Sequence, residues 1–301
     1  MKVTFEKLKG IRLPREIEFS PNGDILTIRM NEKGVNENMQ EDEAAFEAWA
    51  LVARAKEYKK IQLDISALPD GEKVGIYTLP EHLHLNRFIY RALKFSENFD
   101  WFTLSPKLEK KVEQFRKALE RETLVYNVPT QEAKETAENS EAKMERRLIS
   151  NVNETNKLLD ANVEMYYSQL PVGLFRGKKS KSTMVFPGGS AAIDLWGIEN
   201  DTFHLVELKV GKNKGLGVLS ELFFYVSFMF DVHCNKMAKA AENTTSRGFD
   251  ELANANIKTI KGYILLEEEH SQLEEAFIGL KECKNQSMCF EKIINYQGEK
   301  F

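Results

Sequence analysis

Two apolar runs, Ala191–Ile198 and Thr202–Val210, flank the polar turn Glu199-Asn200-Asp201 in the second half of the chain. Both alternate with the period of two that a β-strand demands, so the pair reads as a hairpin. Ala192, Asp194 and Trp196 then share one face of the first run, and Ile193 and Leu195 the other. In the second run Phe203, Leu205, Glu207 and Lys209 share one face, opposite His204, Val206, Leu208 and Val210. Three charged groups therefore emerge where the pattern otherwise buries apolar side chains, and pairing brings Asp194 beside Glu207. Desolvating two carboxylates and an ammonium at one strand end is costly unless a cation or a substrate completes the group.

That group has a chemistry. The carboxylates of Asp194 and Glu207 with the backbone carbonyl of Leu208 make a hard-oxygen corner suited to Mg²⁺ or Mn²⁺. Lys209 would orient the attacking water and offset charge on a phosphorane, while the metal lowers the water's pKa. No Ser-His or Cys-His arrangement accompanies these residues, so phosphodiester hydrolysis suits them better than acyl transfer. The bland reading is that Asp194 ends a strand and that Glu207 and Lys209 pair across an exposed sheet face.

Around the hairpin the second half reads in order. A helix runs to about Leu159, followed by a β-run over Val163–Leu170 and a basic loop over Arg176–Ser182. After the hairpin, a glycine-bearing basic loop (Gly211–Gly215) opens a long apolar helix from about Gly217 to Ala240. A strand over Gly262–Leu266, a helix over Ser271–Leu280 and a β-like run over Met288–Tyr296 close the chain. From 131 to 266 the order is α-β-β-β-α-β.

The first half is a mixed α/β unit. Arg15–Ser20 and Ile25–Met30 flank Pro21-Asn22-Gly23-Asp24, whose Asn-Gly pair is a hairpin signal. An amphipathic helix is expected over Glu41–Tyr58, a strand over Lys60–Ser66, and helices over Glu81–Phe95 and Pro106–Thr123, the last capped by Ser105 before Pro106. The polar stretch Pro129–Ala142 marks the boundary, giving an accessory α/β domain over 1–128 and a second domain over 129–301.

Composition narrows the function classes. Forty-two lysines and arginines stand against 46 aspartates and glutamates, a net charge of −4, so the chain is no basic coat for nucleic acid, although a local patch remains open. Arg176, Lys178, Lys179 and Lys181 in one loop, and Lys212 and Lys214 in the next, form such a patch or are ordinary mobile loops. Three cysteines without metal-site spacing fit a reduced, cytoplasmic compartment, and the Leu222–Val232 run is too short to span a bilayer. His204 faces away from the acids and is expected to be structural. His82, His84, His233 and His270 show no zinc-ligand spacing.

Asp194 followed by Glu207-Leu208-Lys209 resembles the D…(D/E)-x-K signature of the PD-(D/E)xK nucleases, the restriction-endonuclease-like superfamily, whose core is αβββαβ. The strings AIDLWGI, HLVELKVGK and LSELFFY are similar in style to its NucS-type and RecB-like branches. The resemblance covers residues 131–266 and none of the first 128. It implies a restriction-endonuclease-like core with a mixed central sheet, and a Mg²⁺- or Mn²⁺-dependent nuclease acting on DNA, in repair or defence, through Asp194, Glu207 and Lys209. Glu145 is placed like the family's first-helix glutamate, to hold a second metal or its water shell, or simply lies on a solvated helix face. Glu221 and Tyr225 fall where RecB-like members carry Q-x-x-x-Y, with glutamate in place of glutamine, and would brace the lysine or the phosphate. Glu221 is otherwise a first-turn residue, and Tyr225 a core residue. A homodimer is plausible for double-strand cutting. The rival class is a catalytically silent nucleic-acid-binding or protein-interaction module that keeps the fold.

Overall fold

The hairpin signalled by Asn22-Gly23 forms, with Gly23-Asp24 as its two-residue turn. In the computed structural model, strands β1 (Ile17–Asn22) and β2 (Ile25–Met30) pair antiparallel with Asn22 opposite Ile25, and Gly23 takes the left-handed φ of +60° that the tight turn requires. Pro21 lies inside β1, an edge strand where its missing N–H costs no ladder bond. The structure describes residues 6–8, 11–66, 83–129, 140–187, 191–210, 215–242, 246–268 and 271–294.

The chain then runs through α1 (Glu32–Asn36), α2 (Phe46–Ala55), β3 (Lys60–Ile65), α3 (Leu83–Asn98), β4 (Phe102–Leu104) and α4 (Pro106–Arg121). The four strands form a sheet in the order β1-β2-β3-β4, with β2, β3 and β4 parallel. α2 begins at Phe46, later than expected, because Asp42–Ala44 winds as a 3₁₀ turn first. α4 starts as its cap predicts: the Ser105 hydroxyl accepts from Leu108 N at 3.4 Å ahead of Pro106.

Next come β5 (Leu124–Tyr126), α5 (Ser140–Ser150), α6 (Val152–Leu159), β6 (Tyr166–Pro171), β7 (Leu174–Arg176), β8 (Met184–Phe186), β9 (Ala192–Glu199), β10 (Thr202–Lys209) and α7 (Gly217–Met229). They are followed by β11 (Lys239–Ala240), α8 (Phe249–Asn254), β12 (Thr259–Leu266), α9 (Leu273–Leu280) and β13 (Met288–Ile294). A five-stranded mixed sheet takes the order β13-β12-β10-β9-β6: β6, β9 and β10 are antiparallel neighbours, while β10, β12 and β13 run parallel. A smaller sheet, β11-β5-β7-β8, accompanies it.

The large sheet is covered on both faces. Val206, Leu208, Leu195 and Tyr263 pack with Met144, Leu148 and Leu159 of α5 and α6. On the other face α7 lies so close that a Cβ on Gly262 would meet Val226 and, at 2.9 Å, Leu222. The 18-residue run Gly217–Cys234 is apolar enough to cross a membrane by composition, but 89% of it is buried inside the protein.

Three elements differ from the sequence reading. The single helix expected up to Leu159 is two, because Asn151 leaves helical geometry (φ −117°, ψ 60°). The apolar helix stops well short of Ala240. It passes into a π-helical turn at Phe230–Cys234, Lys236 takes φ 54°, and the chain turns so that Lys239–Ala240 pairs with β5. Of the loop read over Arg176–Ser182 only Arg176 is strand, the last residue of β7, and its end winds as a 3₁₀ turn at Lys181–Thr183. The strands β7 and β8 on either side are too short to show a period.

Two compact units result. One comprises Met1–Glu122, Gly215–Glu221 and His270–Asn285; the other comprises Thr123–Lys214, Leu222–Glu269 and Gln286–Phe301. Residues 1–122 are thus joined in their unit by two segments from the C-terminal half, whereas 123–128 fall in the other unit, a division different from a single cut at 129.

Candidate active site

The β9–β10 hairpin closes over Asn200-Asp201, with Asn200 at a left-handed φ of 54°, a conformation asparagine tolerates better than most residues. Leu205 pairs with Trp196 and Val206 with Leu195. Continued by one step, this register sets Glu207 opposite Asp194. There the ladder gives way to a side chain: Leu208 N donates to Asp194 Oδ2 at 2.9 Å. The Leu208 group seen on Asp194 is therefore its N–H.

Glu207 and Lys209 are both buried, at 2% and 8% exposure, and the Lys209 ammonium donates to Glu207 Oε1. The faces fall as the alternation predicts. Trp196 stacks on Phe203 at 5.6 Å and meets the tilted Tyr167 ring at 4.7 Å, on the face carrying the acids, while Leu195, Val206 and Leu208 enter the core under α5 and α6.

Glu145 comes to this group from α5. Gln169, on β6 between the paired positions Ser168–Leu195 and Leu170–Ile193, donates from Nε2 to Glu145 Oε1 at 2.7 Å and lies 3.5 Å from Asp194 Oδ1. Its carboxamide links the two acids. Burial pushes the Glu145 carboxyl up to about 6, and the Glu141 carboxylate adds to the rise, against the Gln169 hydrogen bond and Arg146. Sequence reasoning missed Gln169, because one glutamine in Tyr166-Tyr167-Ser168-Gln169 carries no motif.

The donor set suits a small hard cation. Among the described residues no three His, Cys, Asp or Glu side chains gather as a metal cluster. Mg²⁺ needs fewer protein ligands than that: it keeps several waters and is held through one or two carboxylates plus substrate phosphate. Each ionised carboxylate has about four lone-pair sites, so it can accept hydrogen bonds and bind a cation at once.

Glu221 is buried and accepts from Gln40 Nε2 within the unit that holds residues 1–122. Tyr225, one turn on along α7, is 1% exposed, in contact with the Phe224 ring. Arg176 donates to Ser182 O and Lys179 to Val128 O, whereas Lys178 and Lys181 are exposed. Lys212 and Lys214 lie outside the described residues. His204 is structural: its Nδ1 meets the Tyr263 hydroxyl at 3.0 Å, and burial presses its pKa down to about 4.

Comparison with protein-family models, with curated proteins and with solved structures finds no match to this chain.

Proposed function

We propose that the second unit is a divalent-metal-dependent phosphodiester hydrolase of restriction-endonuclease-like architecture, with DNA as its substrate. The observation that carries this reading is the convergence of Asp194 with Glu145, through Gln169, beside the buried Glu207–Lys209 pair on the adjoining strand. The succession α5/α6, β6, β9, β10, α7, β12 about one mixed sheet supports it.

Asp194 and Glu207 would hold Mg²⁺ or Mn²⁺, with the Leu208 carbonyl as an additional oxygen, and Glu145 would hold a second ion or its water shell. A bound cation supplies Lewis acidity toward the phosphate and a more acidic water. Lys209, paired with Glu207, would orient that water and offset charge on the phosphorane. Lys178 and Lys181 are free to meet the backbone, a contact that supplies affinity without sequence selectivity.

A second reading, a silent binding module of the same fold, is favoured by one observation: the Lys209 ammonium already neutralises Glu207 in a buried ion pair.

The two are separated by incubating the chain with plasmid and single-stranded DNA and Mn²⁺. Lys209→Ala removes the cation beside buried Glu207 and costs about 3–5 kcal/mol. Asp194→Asn keeps an acceptor for Leu208 N and is the cleaner substitution. Cleavage by the wild type, lowered about a hundredfold or more in Asp194→Asn with unchanged circular dichroism, is the expected result. Intact substrate with wild-type protein, and no rise in its melting temperature with Mn²⁺, overturns the reading.

A further inference from the structure

Gln169 stands in an unusual conformation for the residue that links two acids. Its φ of 54° is left-handed, a region that strains a non-glycine residue, so something nearby has to hold it. Among the described residues β6 is an edge strand of its sheet, with its outer backbone groups claimed by no further strand. Arg247 meets this edge: its Nη1 donates to Gln169 O at 2.9 Å and to Ser168 O at 3.2 Å.

Arg247 is itself left-handed, at φ 53°. The next residue, Gly248 (φ 72°), lies so tightly on the Tyr167 ring that a Cβ there would overlap it. The Arg247 guanidinium is half-buried, burial holds its pKa below the ordinary arginine value, and among the described residues no carboxylate pairs with it. A guanidinium desolvated without a counter-ion is costly, and its two bonds to β6 carbonyls identify what it does there.

We propose that Arg247 is a positioning residue that acts through Gln169, clamping the β6 backbone so that one carboxamide holds the Glu145 and Asp194 carboxylates together. This rests on the reading of those acids as the working site, and extends that site to a segment on the far side of β6 that no sequence motif marks. The groups facing Glu145 are Glu141 and Arg146 on its own helix and Gln169 from β6, with Asp194 of β9 beyond the carboxamide.

The test follows the Glu145 carboxyl by carbon-13 NMR titration in the full-length chain, which requires neither a substrate nor a metal. Gln169→Leu removes the donor, and Arg247→Ala lets it drift. Each is expected to raise the Glu145 midpoint by about half a pH unit or more, since a lost hydrogen bond to the charged form favours the neutral one. Because Arg247 acts through Gln169, the double variant should shift no further than Gln169→Leu alone. Arg247→Lys keeps a donor and a charge, and should recover most of the wild-type midpoint. If Gln169→Leu fails to fold, Gln169→Met takes its place. An unmoved midpoint in Arg247→Ala, or a double variant whose shift is the sum of the two singles, overturns the proposal.

DNA cleavage is scored separately. Where the wild type cleaves, Arg247→Ala should lower kcat about tenfold with KM unchanged, the signature of a disturbed acid array; an unchanged kcat overturns the positioning role. A wild type that cleaves nothing sinks the nuclease reading, and the titration still decides whether Arg247 acts through Gln169.

Discussion

Glu145 and His204 sit on neighbouring elements and titrate in opposite senses, which makes their signs separable. Glu145 has its pKa raised from 4.5 to about 6, chiefly by burial. Between those values the folded chain binds more protons than the unfolded one, so Glu145 makes the protein less stable as pH rises through that window. His204, pressed from 6.5 down to about 4, does the reverse: the unfolded chain binds the extra proton, and stability is lost as pH falls from 6.5 toward 4. A raw pH profile mixes the two, whereas comparison with Glu145→Gln cancels the histidine. The stability of the wild type relative to Glu145→Gln should therefore fall on going from pH 4.5 to pH 7, read as a difference in urea midpoints. A wild type that gains on the variant over the same interval would show that Glu145 is held by a charge partner and not desolvated. At this scale the sequence displayed the acids and the lysine, because charge inside an apolar alternation is conspicuous. It concealed Gln169 and Arg247, whose work depends on backbone conformation and on a contact 78 residues apart in the chain.

Among the elements, long periodic ones were legible and short ones were not. β9 and β10 match their expected spans to within a residue or two, because two strong alternations met at a turn only a few residues long. β5, β7 and β8 span three residues each, too few to establish a period, and tertiary pairing defines them. α7 is apolar on every side, so its hydrophobicity could not announce where the helix ends. Its seat on the sheet depends on Gly262: a β-carbon there would press on Val226 and Leu222 of α7 and lies 3.4 Å from Leu205 of β10. Gly262→Ala is accordingly expected to destabilise the chain by about 1–3 kcal/mol through overpacking, despite alanine's better fit to a strand backbone. Thermal unfolding checks it. A melting temperature equal to or above that of the wild type would mean that α7 can move away from the sheet at little cost.

At the scale of the whole molecule, the mixed α/β class could be read from the order of patterns along the chain, but the composition of the units could not. Residues 1–122 share their unit with Gly215–Glu221 and His270–Asn285, and the reason lies in α2. That helix is buried along most of its length, from Phe46 to Ala53, more than the β2–β3 sheet beneath it can cover. α9 supplies the missing surface: Gly279 lets it approach Leu51 closely, Lys56 pairs with Glu275, and Arg54 reaches Glu282 at 3.4 Å. A single amphipathic stripe in the sequence states that a helix will be covered, not which distant segment will cover it. A fragment ending at Asn127 or Val128 should therefore leave one side of α2 exposed, bind a hydrophobic dye and unfold at lower urea than the same transition in the full chain. Adding residues 270–285 through a flexible linker should restore much of the loss, because α9 then returns to α2. A 1–128 fragment that unfolds cooperatively at the full-chain midpoint, without dye binding, would show that α9 adds nothing to the unit and that the first half stands alone.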